Sequence, residues 1–198
     1  MATLYHATTA ELTIGEKLKL TASAVSHTTN AFQREAEHFL EQRRPEGRPP
    51  RLSSWFACDK ANLAAEYLDA QLTLGPDKGA RNGQPHLYAV EMDSSSRQPM
   101  ILSNAVAVKL FAGEKDVALL LADEYWAPTQ EWRCWEYINP DIVVLERQPW
   151  PDLMALPLAL AAYTKDSDIL KQFLGTLGRQ NFEIKARSVP PAKVLPKK

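Results

Sequence analysis

The side chains that could do chemistry in this sequence follow none of the common catalytic or metal-binding motifs. The chain contains four histidines and two cysteines, and none of them has the close HxxxH or CxxC spacing of a metal site. The sequence also lacks a GxGxxG fingerprint, a phosphate loop ending in Gly-Lys-Ser/Thr and a nucleophile elbow. These classes of site are therefore excluded, and no metal is expected.

Three segments remain in which a polar or aromatic side chain lies among strand-like apolar neighbours. They are Leu4–Thr8 with His6, Arg51–Ala57 with Trp55, and Trp135–Leu145 with Glu136. Each has an ordinary explanation when taken singly, because His6 could be a satisfied strand histidine, Trp55 a core aromatic and Glu136 an exposed carboxylate. Only their combination and order favour a functional interpretation.

The periodicity of apolar residues predicts the elements that would position these side chains. Predicted strands are Ala2–Thr8, an extended Lys17–Thr21, Leu52–Cys58, His86–Met92, and two strands within Glu131–Arg147 that meet at Asn139 and Pro140. Predicted helices are Asn30–Arg43, a helix from N-cap Asp59 to Leu72, Ser103–Trp126 broken at Gly113, and two short helices within Asp152–Gln180 that separate near Asp166 and Ser167. Leu74–Gln84 is expected to be a loop, and Asp123 and Glu124 a solvated helix end. The pattern indicates a mixed sheet with interspersed helices.

The three segments resemble strands of the ADP-ribosyltransferases. Leu4-Tyr5-His6-Ala7-Thr8 is similar to their Tyr-His-Gly-Thr strand. Arg51-Leu52-Ser53-Ser54-Trp55-Phe56-Ala57 is similar to the Gly-Ile-Tyr-Phe-Ala strand of poly-ADP-ribose polymerases. Arg51 resembles the arginine of the rifampin-modifying transferases, and Ala64-Ala65-Glu66-Tyr67 the Ser-Ala-Asn-Tyr of the polymerases. Trp135-Glu136-Tyr137-Ile138 is similar to the Asn-Glu-Tyr-Ile/Val strand that carries the family's glutamate. The resemblance covers Leu4 to Leu145 and points to an uncharacterised bacterial branch of this superfamily of His-Tyr-Glu type.

The resemblance implies an α+β fold, in which a split mixed or antiparallel sheet with flanking helices forms an NAD cleft. Residues 1–150 would form the catalytic domain, 151–185 a helical extension packed on it, and 186–198 a flexible basic tail. The implied activity is cleavage of the bond between nicotinamide and ribose, with NAD as co-substrate and transfer of ADP-ribose to an acceptor. The acceptor, a protein, a nucleic acid or a small molecule, is left open, as are a toxin role and an antitoxin or immunity partner.

Particular residues take roles from this resemblance. The implied catalytic residues are Glu136, His6 and Tyr67, and the implied NAD-binding residues are His6, Ala7, Thr8, Arg51, Trp55, Phe56 and Tyr67. His6 would contact the adenosine ribose, Trp55 and Tyr67 would stack on nicotinamide, and Glu136 would offset the positive charge that develops on the sugar. Ala7 and Trp55 replace the family's glycine and tyrosine.

Alternatives remain open at this point. Glu131 competes with Glu136 for the role of catalytic carboxylate, and their odd separation would place them on opposite faces of a regular strand. The fold could also serve removal of an RNA 2′-phosphate, which would want several basic residues in the cleft, or could be a non-catalytic binding module. Loss of Glu136 from the cleft would favour the binding module.

Composition bounds the setting of the protein. The 198 residues are 45% hydrophobic and 24% charged, with a formal net charge of −1, as expected for one globular domain without a strong field for nucleic acid. No stretch reaches the ~20 apolar residues of a membrane span, so no membrane partner is expected. Two cysteines and no signal peptide predict a reduced, cytoplasmic protein.

Overall fold

The computed structural model describes residues 3–20, 31–74, 83–93, 95–151 and 165–176, with backbone alone at 31–33 and 70–74. Its strands are β1 (Leu4–Thr8), β2 (Lys17–Lys19), β3 (Trp55–Cys58), β4 (His86–Glu91), β5 (Arg97–Pro99), β6 (Trp135–Asn139) and β7 (Asp141–Gln148). Its helices are α1 (Ala31–Gln42), α2 (Ala61–Leu74), α3 (Met100–Phe111), α4 (Lys115–Trp126) and α5 (165–176), with a 3-10 turn at Arg51–Ser53.

The strands form one seven-stranded sheet in the order β2-β7-β4-β1-β3-β6-β5. Every strand pairing in the described part of the chain is antiparallel. The predicted α+β class is therefore confirmed, and of the two predicted sheet types the antiparallel one is found. The three strands singled out in the sequence, β1, β3 and β6, are consecutive in this sheet, with β1 in the middle position and β6 next to the edge strand β5.

The register of the pairings assigns each side chain to one of two faces, because paired residues in an antiparallel sheet point the same way and successive residues alternate. Tyr5 pairs with Cys58, Cys58 with Glu136 and Glu136 with Gln98. This row defines the Glu136 face. His6 follows Tyr5 directly and therefore lies on the opposite surface, the His6 face.

All the helices that have core contacts among the described residues pack on the Glu136 face. Helices α1, α3, α4 and α5 cover Phe56 and Ile138, and α2 covers Cys58 and Leu87. The buried apolar cluster on the His6 face contains residues of strands and loops only, among them Leu4, Tyr88 and Val144 beneath Leu12. Helices therefore cover the Glu136 face of the sheet, whereas the buried cluster on the His6 face is formed by strands and loops.

Local sequence explains most of these elements. Ala36 and Leu40 are buried at helical spacing in α1, which confirms the predicted helix. Gly113, with φ of 73°, separates α3 from α4 at the predicted break, because a positive φ is strained for other residues. Helix α3 begins at Met100, directly after Pro99, and so earlier than predicted.

Several predictions need correction. Strand β3 begins at Trp55 because residues 51–53, after Pro49 and Pro50, form a 3-10 turn. The short strand β5 was not predicted. Helix α5 begins at residue 165, so Asp166 lies inside it. The remainder of the predicted helical segment 152–180, the basic tail and most of the predicted loop 74–84 lie outside the described residues.

Glu124 is the clearest local correction, because it is only 4% exposed and is not part of a solvated helix end. Its carboxylate accepts hydrogen bonds from Thr129 N and Oγ1, Gln130 N and Trp132 Nε1, at 2.6–3.1 Å. Glu124 therefore provides the hydrogen-bond acceptor for these donors in the loop that leads from α4 to β6. Asp123 is exposed, as predicted, and pairs with Arg43.

No helix in the described ranges is both long and apolar enough to cross a membrane.

Candidate functional site

The structure divides the predicted site residues between the two faces of the sheet. His6, Thr8 and Trp55 lie on the His6 face. Glu136, Ala7 and Phe56 lie on the Glu136 face, where Phe56 carries the guanidinium of Arg51 over its ring. Tyr67 belongs to α2, which packs on the Glu136 face, and is 41% exposed. Trp55 and Tyr67 are thus not brought together as a sandwich.

His6 lies where the ladder between β1 and β3 stops. These strands share one register pair, Tyr5 with Cys58. Beyond this pair, the His6 side chain forms the next contact between the strands, with Nδ1 2.7 Å from the Phe56 carbonyl oxygen. A carbonyl oxygen only accepts, so Nδ1 carries the proton and Nε2 of the neutral ring is left as an acceptor. Nε2 is shielded from solvent and has no hydrogen-bond partner among the described residues.

Trp55 places a hydrogen-bond donor beside the ring that carries this acceptor. Its ring meets the His6 ring edge-on, with centroids 5.3 Å apart and planes at 90°. Its Nε1–H, a donor, is also shielded from solvent and has no partner in the described part of the chain. An unpaired buried polar atom costs on the order of 1–3 kcal/mol of stability. Within the described residues, the contacting rings of His6 and Trp55 carry one such acceptor and one such donor.

The protonation state of His6 agrees with this arrangement. Burial lowers the pKa of His6 from its usual 6.5, against the opposing effect of the hydrogen bond to Phe56. The charged imidazolium is disfavoured because burial removes its hydration. The ring is therefore neutral at pH 7, and Nε2 can accept a hydrogen bond.

Glu136 lies in a buried ionic cluster, defined here as Arg51, Glu136, Tyr125 and Glu37. Arg51 Nη1 donates to Glu136 Oε1 at 2.6 Å and to the Tyr125 hydroxyl, which donates to the same Oε1 at 2.5 Å. Arg51 Nη2 donates to Glu37 Oε1 at 2.9 Å, and Nε donates to Glu37 Oε2. The cluster joins α1, α4, β6 and the 3-10 turn.

The electrostatics of the ionic cluster keep Arg51 and Tyr125 protonated. Burial alone would lower the pKa of Arg51, but Glu136 and Glu37 outweigh it and hold that pKa well above its usual value. Burial, reinforced by Glu136, raises the pKa of Tyr125 against the effect of Arg51. One guanidinium thus faces two carboxylates, with a protonated phenol between them. Glu136 Oε2 has no hydrogen-bond partner among the described side chains.

Glu131, the rival carboxylate, is exposed and precedes β6 by four residues. Glu131 therefore lies in the loop before β6 and does not belong to either face of that strand. Glu136 is the carboxylate that the structure places in a defined environment.

Two members of the ionic cluster were missed in the sequence, although signals for them exist. Tyr125 continues the spacing of the buried Ala118, Leu121 and Ala122 in α4, and a buried tyrosine hydroxyl usually needs a partner. Glu37 follows the buried Ala36 in α1, at the border of the apolar stripe. Neither signal identifies Arg51 as the partner, because that contact depends on how the helices pack.

No group of three or more His, Cys, Asp or Glu side chains within the described ranges is placed to hold a metal ion. No protein-family model matches the sequence, and no curated protein matches it significantly.

Proposed function

We propose that this chain binds NAD on the His6 face, with a ribose hydroxyl between His6 Nε2 and Trp55 Nε1. A hydroxyl can donate to the bare nitrogen of His6 and accept from the indole N–H, so a single group would satisfy both atoms. The observation that carries the proposal is this unpartnered acceptor and donor on touching rings. NAD as the particular ligand comes from the resemblance of β1, β3 and β6 to ADP-ribosyltransferase strands.

The geometry supports binding of NAD better than it supports a transfer reaction in which Glu136 is the catalytic carboxylate. His6 in β1 and Glu136 in β6 lie on opposite faces of the sheet, and β3 separates their two strands. A ligand seated against His6 is thus separated by the sheet from the Glu136 carboxylate. Among the alternatives left open by the sequence, this separation favours the binding module.

Transfer of ADP-ribose is the second candidate, and one observation favours it. In that reaction a carboxylate stabilises the positive charge that develops on the sugar. Glu136 is held rigidly through Oε1 by Arg51 and Tyr125, while Oε2 has no partner among the described residues. An acceptor, a toxin role and an antitoxin enter only with this candidate. Nothing favours the RNA 2′-phosphate reaction through Arg51, because its guanidinium is engaged by two carboxylates.

One experiment separates the two candidates. NAD binding is measured by calorimetry, and release of nicotinamide by chromatography, for the unaltered chain, His6→Ala, Glu136→Gln and Glu131→Gln. The binding proposal expects a Kd that His6→Ala raises about tenfold or more, unchanged values for both glutamate variants, and no release of nicotinamide. Glu131→Gln is the matched control, since it removes the same charge from an exposed position.

Two results would decide against the binding proposal. Absence of NAD binding by the unaltered chain overturns it. Release of nicotinamide that Glu136→Gln abolishes and Glu131→Gln preserves overturns it too, because it shows that Glu136 takes part in cleavage of NAD. Urea unfolding of each variant verifies that it is folded before either assay is interpreted.

A further inference from the structure

The corner of the sheet where β1 ends and β4 begins carries polar groups not used by His6 and Trp55. Thr8 pairs with His86 across β1 and β4, and in the next row His6 pairs with Tyr88 and Tyr88 with Arg147. These pairings place Thr8, His86 and Arg147 on the His6 face. We call these three residues the corner cluster.

The hydrogen bonds within the corner cluster leave it with free donors. Arg147 Nη2 lies 2.8 Å from His86 Nδ1, and since a guanidinium only donates, Nδ1 accepts and the neutral ring carries its proton on Nε2. The Thr8 hydroxyl oxygen accepts from Ala10 N at 3.1 Å, so its own proton is available to donate. The groups left for a ligand are therefore N–H and O–H donors.

The charge at the corner cluster is positive and unopposed within the described residues. Arg147 is exposed and forms no ion pair with any described carboxylate. Its neighbour Glu146 pairs with Ala89 and so lies on the other face, where it accepts from Gln148. A cation surrounded by donors is complementary to a group that only accepts and is negatively charged, such as phosphate.

We propose that Thr8, His86 and Arg147 bind the diphosphate of the dinucleotide whose ribose contacts His6. This inference rests on the proposed function, because it takes the position of the ribose from it. Neighbouring strands lie about 4.8 Å apart, so the Arg147 backbone is about 10 Å from that of His6 across two strand spacings, and the long arginine side chain shortens this distance. The corner cluster thus gives the His6 face specificity for a nucleotide over a nucleoside.

The test compares the binding of two ligands to the unaltered chain and to two arginine variants. NAD carries the diphosphate and adenosine lacks it, and both are titrated into the unaltered chain, Arg147→Gln and Arg133→Gln by calorimetry. Arg133 is exposed in the loop before β6, so its variant removes the same charge elsewhere. We expect Arg147→Gln to weaken NAD binding about tenfold or more and to leave adenosine binding unchanged, with Arg133→Gln behaving as the unaltered chain.

The remaining outcomes distinguish failure of this inference from failure of the proposed function. If NAD binds equally well to the unaltered chain and Arg147→Gln, or if the variant weakens NAD and adenosine alike, the corner cluster does not bind the diphosphate. If the unaltered chain binds neither NAD nor adenosine, the proposed function fails, and inorganic pyrophosphate becomes the probe. Pyrophosphate binding that Arg147→Gln weakens would then support an anion site, and its absence would overturn one.

Discussion

The ionic cluster on the Glu136 face and the contacting rings of His6 and Trp55 on the opposite face treat their buried polar atoms in opposite ways. On the Glu136 face, Arg51 donates to both carboxylates and to the Tyr125 hydroxyl, so the ionic cluster is closed upon itself. On the His6 face, His6 Nε2 and Trp55 Nε1 are shielded from solvent but have no hydrogen-bond partner within the described ranges. A satisfied network stabilises and specifies the fold, whereas unsatisfied atoms cost stability unless a ligand pairs them. The comparison gives the ionic cluster a structural role and supports the proposal that a ligand binds at His6 and Trp55.

Phe56 connects these two regions through different atoms. Its carbonyl oxygen accepts from His6 on one side of the sheet, while its ring lies 4.8 Å from the Arg51 guanidinium carbon on the other. The ionic cluster therefore helps to fix the strand against which His6 is oriented.

The largest effect is expected from Arg51→Met. The variant leaves the Glu37 and Glu136 carboxylates without their cation, and breaking a buried ion pair in this way costs about 3–5 kcal/mol of unfolding free energy. Urea unfolding measures the loss. Arg43→Met is the control, because its partner Asp123 is 53% exposed in the side chain and such surface pairs contribute about 0–1 kcal/mol. Equal losses for the two variants would contradict a structural role for the ionic cluster.

Tyr125→Phe tests the hydroxyl inside the same network. Removing it takes a donor from Glu136 Oε1 and an acceptor from Arg51, so we expect a loss of about 1–3 kcal/mol in unfolding free energy. Because Tyr125 and Glu136 share a hydrogen bond, the double variant with Glu136→Gln should lose less than the sum of the single variants. Strict additivity would show that the two groups do not act together.

Sequence reasoning recovered the central strands and failed mainly at contacts between distant segments. Alternating residues identified β1 and β4, and the helical stripe of Ala36 and Leu40 identified α1, because both patterns are local. The partnership of Arg51 with Glu136 joins residues 85 positions apart and arises from packing. The separation of His6 from Glu136 depends on register, in which a shift of one residue moves a side chain to the other face.

The same reasoning explains the errors over Glu124 and Glu131. A carboxylate near a helix end resembles a solvated one, and only the path of the following loop buries Glu124 beneath Trp132. The prediction places Glu131 at the start of a strand, and the apolar Trp132 and Cys134 that follow it are two positions apart, as in a strand. Alternation also arises in a loop that packs on a core, as the buried Trp132 and Cys134 do before β6 begins.

A smaller effect, visible through pH, is expected at His6. Its folded pKa lies below the usual 6.5, so at mildly acidic pH the unfolded chain binds more protons there than the folded chain. The His6 contribution to the free energy of unfolding is therefore complete above pH 6.5 and is lost as the pH falls through the lowered folded pKa. Urea unfolding of the unaltered chain and His6→Gln from pH 8 to pH 5 should converge toward acid, and parallel curves would contradict the prediction. NAD affinity should fall over the same range, because a protonated Nε2 no longer accepts.

The smallest effect on stability is expected from Trp55→Phe. The indole N–H of Trp55 has no partner among the residues that the structure describes. Removing it therefore costs no described hydrogen bond and relieves an unsatisfied donor, and the unfolding free energy should change by less than about 1 kcal/mol. Trp126→Phe is the matched control, because Trp126 Nε1 donates to the Leu40 carbonyl at 2.8 Å in the core, and its loss should be larger. The order of the two effects should reverse for NAD binding, which Trp55→Phe weakens and Trp126→Phe leaves unchanged. A Trp55 variant that loses stability but retains NAD affinity would make the indole a packing residue and remove the donor from the proposed site.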